Sequence, residues 1–270
     1  SHPGVDKVAF TGSTRTGAEI MRLAAEPLKR VTLELGGKSP NLVFADADLA
    51  SAVPSSAWAI FYAAGQSCEA RSRLLVEKPL YDEVVSKMSD FATAIAVGDP
   101  LDAETQMGSL ISRSHRDKVH GFVERGSDAG AEIVTGGAVP DGAGAFYPAT
   151  VVAVENTAEI AQEEVFGPVV TVIPFEDEAD AIRIANDVRY GLMATVWTGD
   201  PARGHRVAAR IKAGTVGINM PYTAFPGIPF GGYKQSGFGR ELGLETLELY
   251  LETKSVIVST GSKPVNPFGL

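Results

Sequence analysis

Short apolar runs alternate with amphipathic stretches along most of the chain, and glycine or proline separates many of them. Runs rich in β-branched and other apolar residues predict strands at residues 5–12, 30–34, 41–44, 73–77, 132–134, 146–152, 169–175, 195–197, 215–219 and 249–259. Stretches with apolar residues three or four positions apart predict helices at residues 18–28, 46–64, 79–98, 112–129, 178–186 and 201–211.

This alternation of strands and helices is typical of α/β proteins, in which helices connect parallel strands. We therefore expect an α/β fold with a mostly parallel sheet and helices on both of its faces. The glycine-rich stretch at residues 225–239 predicts an ordered loop, and the glycines at 136–144 predict a surface turn.

The composition is that of an ordinary globular protein, with 270 residues, of which 44% are hydrophobic and 21% charged. The net charge of −9 and the absence of a basic cluster argue against nucleic-acid or anionic-membrane binding. No apolar run is long enough to span a membrane, and no leader peptide is recognisable. A single cysteine is typical of a reducing compartment, so we expect a cytoplasmic protein.

Two residues carry the candidate chemistry. Cys68 follows a helical apolar run and a Gly-Gln break, and a thiol at a helix end can be held as the nucleophilic thiolate. Glu34 ends a predicted strand before two glycines, at the edge where open α/β sheets bind ligands. Each residue also has a plainer interpretation, since a lone cysteine is often a small buried hydrophobe and a strand-end glutamate is often a surface charge.

A glycine turn lies between the first predicted strand and the helix that follows it. Residues 12–17 read Gly-Ser-Thr-Arg-Thr-Gly, and the amides of Gly12 and Ser13, with the helix N-terminus, could meet a phosphate. The turn lacks the third glycine of the usual dinucleotide fingerprint, so a plain strand–helix turn remains open from these residues alone.

The segments Leu-Glu-Leu-Gly-Gly-Lys-Ser-Pro at 33–40 and Gly-Gln-Ser-Cys at 65–68 together resemble the aldehyde dehydrogenase superfamily. Glu-Glu-Val-Phe-Gly-Pro at 163–168 and Pro-Phe-Gly-Gly-Tyr-Lys-Gln-Ser-Gly at 229–237 match further segments of that family. The resemblance implies a three-layer parallel-sheet catalytic domain, part of a Rossmann-like cofactor domain and an oligomerisation strand.

The resemblance also implies roles for individual residues. Cys68 would be the nucleophile and Glu34 the general base that activates water. Glu164 would bond the nicotinamide ribose of NAD or NADP, and Phe166 would pack near its ring. The other cofactor-binding residues implied are Gly12, Ser13, Gly17, Leu35 and Gly36. His115 and Lys118 fall in a region near the cofactor in relatives.

The same resemblance divides the chain into a remnant of the NAD(P)-binding domain at 1–36, a catalytic domain at 37–235 and a return segment with an oligomerisation strand and tail at 236–270. The chain would cover the last half to three-fifths of a family member. The first strands of the cofactor domain, and the asparagine that completes the oxyanion hole, would lie outside it. The expected partners are an aldehyde substrate and further copies of the chain, in a homodimer or homotetramer.

Three alternatives remain open from the sequence. A cysteine hydrolase would need one of His2, His115, His120 and His205 to activate the thiol, and none carries a local signature. A metal enzyme would need ligand spacings that are not recognisable. A catalytically incomplete fragment would keep only a structural or oligomerising role.

Glu69, where relatives have a small residue, would raise the thiol pKa unless it points away, as we expect.

Overall fold

The computed structural model describes residues 2–220, 225–261 and 268. Its larger sheet has seven strands, which are β3 (Pro40–Val43), β4 (Arg73–Glu77), β5 (Glu132–Thr135), β6 (Thr150–Ala153), β7 (Val169–Phe175), β9 (Met193–Trp197) and β10 (Thr215–Ile218). Their order across the sheet is β10-β9-β3-β4-β7-β6-β5. All neighbouring strands are parallel except the pair β5 and β6.

Helices cover both faces of this sheet. They are α2 (Leu49–Phe61), α3 (Tyr81–Ala94), α4 (Arg113–Asp128), α5 (Glu159–Gln162), α6 (Glu178–Asn186) and α7 (Pro201–Arg210). Side chains of α2, α3 and α4 form one apolar cluster with Leu74 and Val76, whereas those of α6 and α7 form another with Leu75. Because successive residues of β4 point to opposite faces, both clusters are buried, and the result is a three-layer α/β domain.

A smaller sheet carries the first part of the chain. β1 (Lys7–Thr11) and β2 (Arg30–Glu34) are parallel and are connected by α1 (Thr14–Ala25). β12 (Gly237–Phe238) returns from the far end of the chain and pairs antiparallel with β2. The segment predicted to return from the catalytic domain therefore lies directly beside Glu34 and Leu33.

The structure corrects the extent of the helix expected at 46–64 and the character of the loop expected at 225–239. The helix expected at 46–64 ends at Phe61, because Ala63 and Ala64 adopt the left-handed conformation with φ of 51° and 54°. The loop expected at 225–239 contains two short strands, β12 and β11 (Tyr233–Lys234), and the latter pairs with β8 (Tyr190–Gly191).

The strand expected at 249–259 is wrong for the chain as the structure describes it. Residues Leu244–Tyr250 form a 3-10 helix, and residues 251–259 have no regular secondary structure. A strand needs a neighbour to satisfy its backbone hydrogen bonds, and no strand of the described part pairs with this segment. Most of the predicted tail at 261–270 lies outside the described residues.

A search of the described ranges finds no helix with the length and apolar character that crossing a membrane requires.

Candidate active site

Cys68 lies in a tight loop between α2 and β4. After α2 the chain passes through a 3-10 turn, Tyr62–Gly65, in which Ala63, Ala64 and Gly65 all have positive φ. A Cβ atom at Gly65 would lie 2.0 Å from the carbonyl oxygen of Gly167, so the loop needs glycine at this point. The backbone is thereby bent sharply just before the thiol.

Glu34 is the last residue of β2, as the sequence predicts, and only 5% of it is exposed. Its Oε1 atom faces the backbone of Gly231, where a Cβ atom would lie 2.7 Å away. Its Oε2 atom has no hydrogen-bond partner among the described residues. The pKa of Glu34 is raised to about 8, mainly by burial and in smaller part by the charge of Glu241, while the charge of Arg240 opposes the rise.

The segments that carry Glu34 and Cys68 touch each other through their backbones. A Cβ atom at Gly37 would lie 2.4 Å from the carbonyl oxygen of Cys68. The hydroxyl of Ser236 donates to the carbonyl of Gly36 at 2.7 Å, so the returning segment fixes the same turn from its other side. The glycine pair after Glu34 is thus required by close backbone packing.

Both residues line one cavity of about 520 Å³. The residues around it come from the smaller sheet and the turns that follow its strands, from the loops after α2 and α5, and from α4. They are Thr11, Gly12, Ser13, Glu34, Gly36, Gln66, Ser67, Cys68, His115, Lys118, Glu164 and Phe166. Seven of the nine residues singled out from the sequence are in this set, together with His115 and Lys118.

Gly17 and Leu35 are the two that do not line the cavity. Gly17 lies inside α1, and a Cβ atom there would lie 2.6 Å from a methyl group of Leu35. Leu35 is buried beneath the helix. In this structure the pair lets α1 pack closely against the smaller sheet.

The glycine turn differs in one respect from the expected phosphate site. The amide of Gly12 donates to the carbonyl oxygen of Glu34 at 3.0 Å, which extends the β1–β2 pairing and occupies that donor. The side chain of Ser13 caps α1 by accepting from the amide of Thr16 at 3.2 Å. Any phosphate contact at this turn therefore falls to the helix N-terminus after Gly12.

The electrostatics of Cys68 also differ from expectation. The turn that carries it follows the C-terminal end of α2, whose dipole does not favour a thiolate. Burial raises the pKa of the Cys68 thiol to about 11, and the carboxylates of Glu69, Glu164 and Glu34 contribute in the same direction. Glu69 lies 3.9 Å from the guanidinium of Arg71, but this pairing does not remove its effect on the thiol.

Glu164 is held deep in the cavity by the glycine pair. Its Oε1 atom accepts from the amide of Gly37 at 3.0 Å, and a Cβ atom at Gly36 would lie 2.2 Å from its Oε2 atom. Burial raises the pKa of Glu164, whereas the Gly37 amide and the charges of Lys38 and Lys118 lower it. Because carboxylates bond hydroxyl groups well, this residue suits a ribose.

Lys38 is a residue that the sequence does not single out. It is 1% exposed, and its ammonium has no hydrogen-bond partner among the described residues. Burial and the nearby Arg73 lower the pKa of Lys38 to about 7, whereas Glu164 and Glu163 raise it. Because lysine is rarely buried, the sequence gives no reason to expect a buried ammonium here. The only signal is that Lys38 directly follows the glycine pair.

No group of three or more histidine, cysteine, aspartate or glutamate side chains that could hold a metal ion occurs in the part of the chain that the structure describes.

The chain was compared with known proteins. A sequence model described as "Aldehyde dehydrogenase family" matches residues 1–256. The betaine aldehyde dehydrogenase of Bacillus subtilis is 48% identical over 269 residues, which cover 98% of this chain and 55% of that protein. The chain therefore spans about half the length of the curated relatives it matches.

Two solved structures that resemble this chain are also aldehyde dehydrogenases. The NAD+ complex of an aldehyde dehydrogenase from Bacillus cereus is 46% identical with a TM-score of 0.94, and the match covers 96% of this chain and 53% of that one. A betaine aldehyde dehydrogenase from Staphylococcus aureus in complex with NAD+ is 43% identical with a TM-score of 0.97, and it covers 100% of this chain and 54% of that one.

Proposed function

Because this chain belongs to the aldehyde dehydrogenase family, we propose that it carries the nucleophile and the base of an enzyme that oxidises an aldehyde to a carboxylic acid with NAD(P)+. The observation that carries the proposal is the shared cavity, which brings Cys68 and Glu34 together with Gly12, Ser13 and Glu164. A nucleophile, a buried base and a helix N-terminus in one cavity are the parts that such a reaction requires.

The reaction begins with the Cys68 thiol. Its Sγ atom adds to the aldehyde carbon and its proton ends on the carbonyl oxygen, which gives a neutral thiohemiacetal. The backbone N–H of Cys68 stabilises the oxyanion that forms on the way. The raised pKa of Cys68 means that the resting thiol is protonated at neutral pH, so its proton must pass to the carbonyl oxygen, directly or through water, as the bond forms.

The residues around the cavity fit a dinucleotide. Glu164 offers a carboxylate for ribose hydroxyls, the N-terminus of α1 offers amides for a phosphate, and Phe166 offers an aromatic face. The chemistry that NAD(P)+ would supply when bound is acceptance of the hydride from the thiohemiacetal carbon, and once the hydroxyl group has released its proton to water a thioester remains on Cys68. NAD+ is the first choice, since two solved relatives are NAD+ complexes.

Glu34 acts in the last step. Its carboxylate takes a proton from water, the resulting hydroxide adds to the thioester carbon, and the Cys68 thiol leaves with a proton while the carboxylic acid forms. A carboxylate whose pKa lies near 8 is a stronger base than an exposed glutamate and is still partly ionised near neutral pH. A site that kept the acyl group for another acceptor would gain nothing from such a base.

The aldehyde remains to be identified. Several relatives are named betaine aldehyde dehydrogenases, so betaine aldehyde belongs in any substrate panel beside short aliphatic and aromatic aldehydes. The rival proposal is a chain that retains this fold and takes part in assembly but cannot oxidise an aldehyde by itself. Its supporting observation is that the chain spans about half the length of its relatives.

The test is to mix the purified chain with the aldehyde panel and either NAD+ or NADP+ and to follow the absorbance of the reduced nicotinamide. We expect a signal with NAD+ that disappears in Cys68→Ala, because no other residue supplies the nucleophile. A signal that survives in Cys68→Ala would remove Cys68 from the reaction. A folded wild-type chain that binds NAD+ without reducing it would favour the non-catalytic rival.

A further inference from the structure

Phe166 occupies a strained position in the wall of the cavity. Its φ is 56°, in the left-handed region that large side chains rarely adopt, and Gly167 follows it directly. Such a conformation persists only where neighbouring groups hold it in place. The structure therefore raises the question of what fixes this loop.

His115 makes the main polar contact to the loop. Its Nε2 atom lies 2.7 Å from the carbonyl oxygen of Phe166, and the two rings meet edge to face with centroids 6.0 Å apart. A carbonyl oxygen can only accept, so Nε2 must carry a proton and donate it. Both side chains line the cavity that holds Cys68.

The same face of α4 also supports Gly167. Val119 lies one turn beyond His115, and a Cβ atom at Gly167 would lie 2.7 Å from a methyl group of Val119. Gly167 in turn presses on the nucleophile loop, because its carbonyl oxygen lies where a side chain at Gly65 would have to go. Contacts therefore run from His115 and Val119 through residues 166–167 to the loop that carries Cys68.

A second hydrogen bond joins the two regions. The amide of Ile111, just before the helix, donates to Oε1 of Gln66 at 2.8 Å. Ser112 caps α4 by accepting from the amide of His115 at 3.1 Å, so the end of the helix that makes these contacts is itself fixed. The start of α4, together with Ile111 just before it, thus contacts both the loop at 166–167 and the loop that carries Cys68.

We propose that His115 is a positioning residue, which holds the Phe166–Gly167 loop against the Cys68 loop through its hydrogen bond to the Phe166 carbonyl. In this role it acts through the loop and not on the reacting atoms. Its effect is to keep the aromatic face of Phe166 and the geometry of the thiol loop fixed. The part that concerns the cofactor rests on the proposed function, whereas the part that concerns the thiol does not.

Cys68 gives a clean readout, because it is the only cysteine in the chain. The rate at which iodoacetamide alkylates the folded protein therefore reports the access to this one thiol and its thiolate fraction, both of which depend on how its loop is held. The affinity for NAD+, measured by calorimetry, is the second readout. A net hydrogen-bond contribution of typical size corresponds to about a fivefold change in either quantity.

Two variants separate the donor from the ring. His115→Phe keeps an aromatic ring but cannot donate, and His115→Gln keeps an amide donor without a ring. We expect alkylation about fivefold faster and NAD+ binding about fivefold weaker in His115→Phe, with both values near wild type in His115→Gln. His120→Ala is the matched control, since His120 also lies on α4 and bonds the hydroxyl of Tyr147 at 3.1 Å, outside the cavity lining.

The outcomes decide the proposal separately from the proposed function. If His115→Phe matches His120→Ala in both measurements, His115 does not position the loop. If His115→Gln is altered as much as His115→Phe, a hydrogen-bond donor at this position does not restore the loop, so the hydrogen bond is not what holds it and the proposal is overturned. If the wild-type chain does not bind NAD+, the proposed function of this chain fails, and the alkylation rates still decide the role of His115.

Discussion

Glu34 shows how strongly position determines the chemistry of one side chain. The sequence places it at the end of a strand, and the structure adds the burial that raises its pKa to about 8. A carboxyl group with a raised pKa is protonated, and cannot accept a proton, until the pH approaches that value. The rate of the base-dependent step should therefore rise with pH and level off above about 8.

An activated ester tests this step without the cofactor. p-Nitrophenyl acetate should transfer its acetyl group to Sγ of Cys68 with release of nitrophenol, and the thioester should then be hydrolysed. Glu34→Gln should keep the initial burst of nitrophenol and slow the steady phase by about 10²–10⁴-fold, the usual contribution of a general base. Glu248→Gln, an exposed carboxylate outside the cavity lining, is the control.

Two results would contradict this assignment. One is a steady phase in Glu34→Gln at the wild-type rate. The other is a wild-type steady phase that does not change between pH 6 and pH 9, the range that spans the pKa of about 8.

At the residue scale, sequence reasoning found the residues that carry recognisable chemistry and missed those defined by packing. Cys68 and Glu34 stand in distinctive segments, and both line the cavity. The burial of Lys38 and the use of the Gly12 amide by Glu34 depend on contacts between distant segments. No pattern within one segment contains that information.

The loop between α2 and β4 is the element on which the site depends most. It contains three successive residues with positive φ and packs backbone to backbone against Gly167. Gly130 offers a comparison, because its φ is 93° but a Cβ atom there would meet nothing within 4 Å. The two glycines share the unusual backbone conformation and differ in their surroundings.

Alanine at each position should separate these effects. Gly130→Ala should lower the free energy of unfolding by about 1 kcal/mol through backbone strain alone. Gly65→Ala should lower it by about 3 kcal/mol or more, because the methyl group would also meet the Gly167 carbonyl. Urea denaturation measures both, and equal midpoints would show that the contact at Gly65 relaxes without cost.

Element boundaries were predictable where the apolar pattern ended at a clear break. The strands Arg73–Glu77 and Val169–Phe175 and the helix Glu178–Asn186 have the bounds that the sequence predicts. The helix after residue 46 was predicted too long, since two alanines carry no sign of a left-handed turn. The prediction of a strand at 249–259 was wrong for this chain, because apolar residues in a segment indicate that it is buried but do not identify the surface that buries it.

At the scale of the whole molecule, the described part of the chain combines a three-layer domain around a seven-stranded sheet with a smaller sheet of three strands. The alternation of strands and helices predicts the larger sheet, because each connection between neighbouring parallel strands contains a helix. Val256, Ile257 and Val258 are 78%, 95% and 75% exposed. Their pairing with a second copy of the chain, in a dimer or tetramer, stays a prediction, as does a cytoplasmic location.

The central claim is that an aldehyde becomes an acyl group on Cys68 and leaves it through water activated by Glu34. Intact mass spectrometry of Glu34→Gln, mixed with NAD+ and acetaldehyde and then quenched in acid, tests this claim most directly. The account predicts that the chain gains the mass of one acetyl group, located on the peptide that contains Cys68, and that omission of NAD+ or replacement of Cys68 by alanine abolishes the gain. A folded, NAD+-bound chain that gains no acetyl group, or gains it elsewhere, would contradict the account.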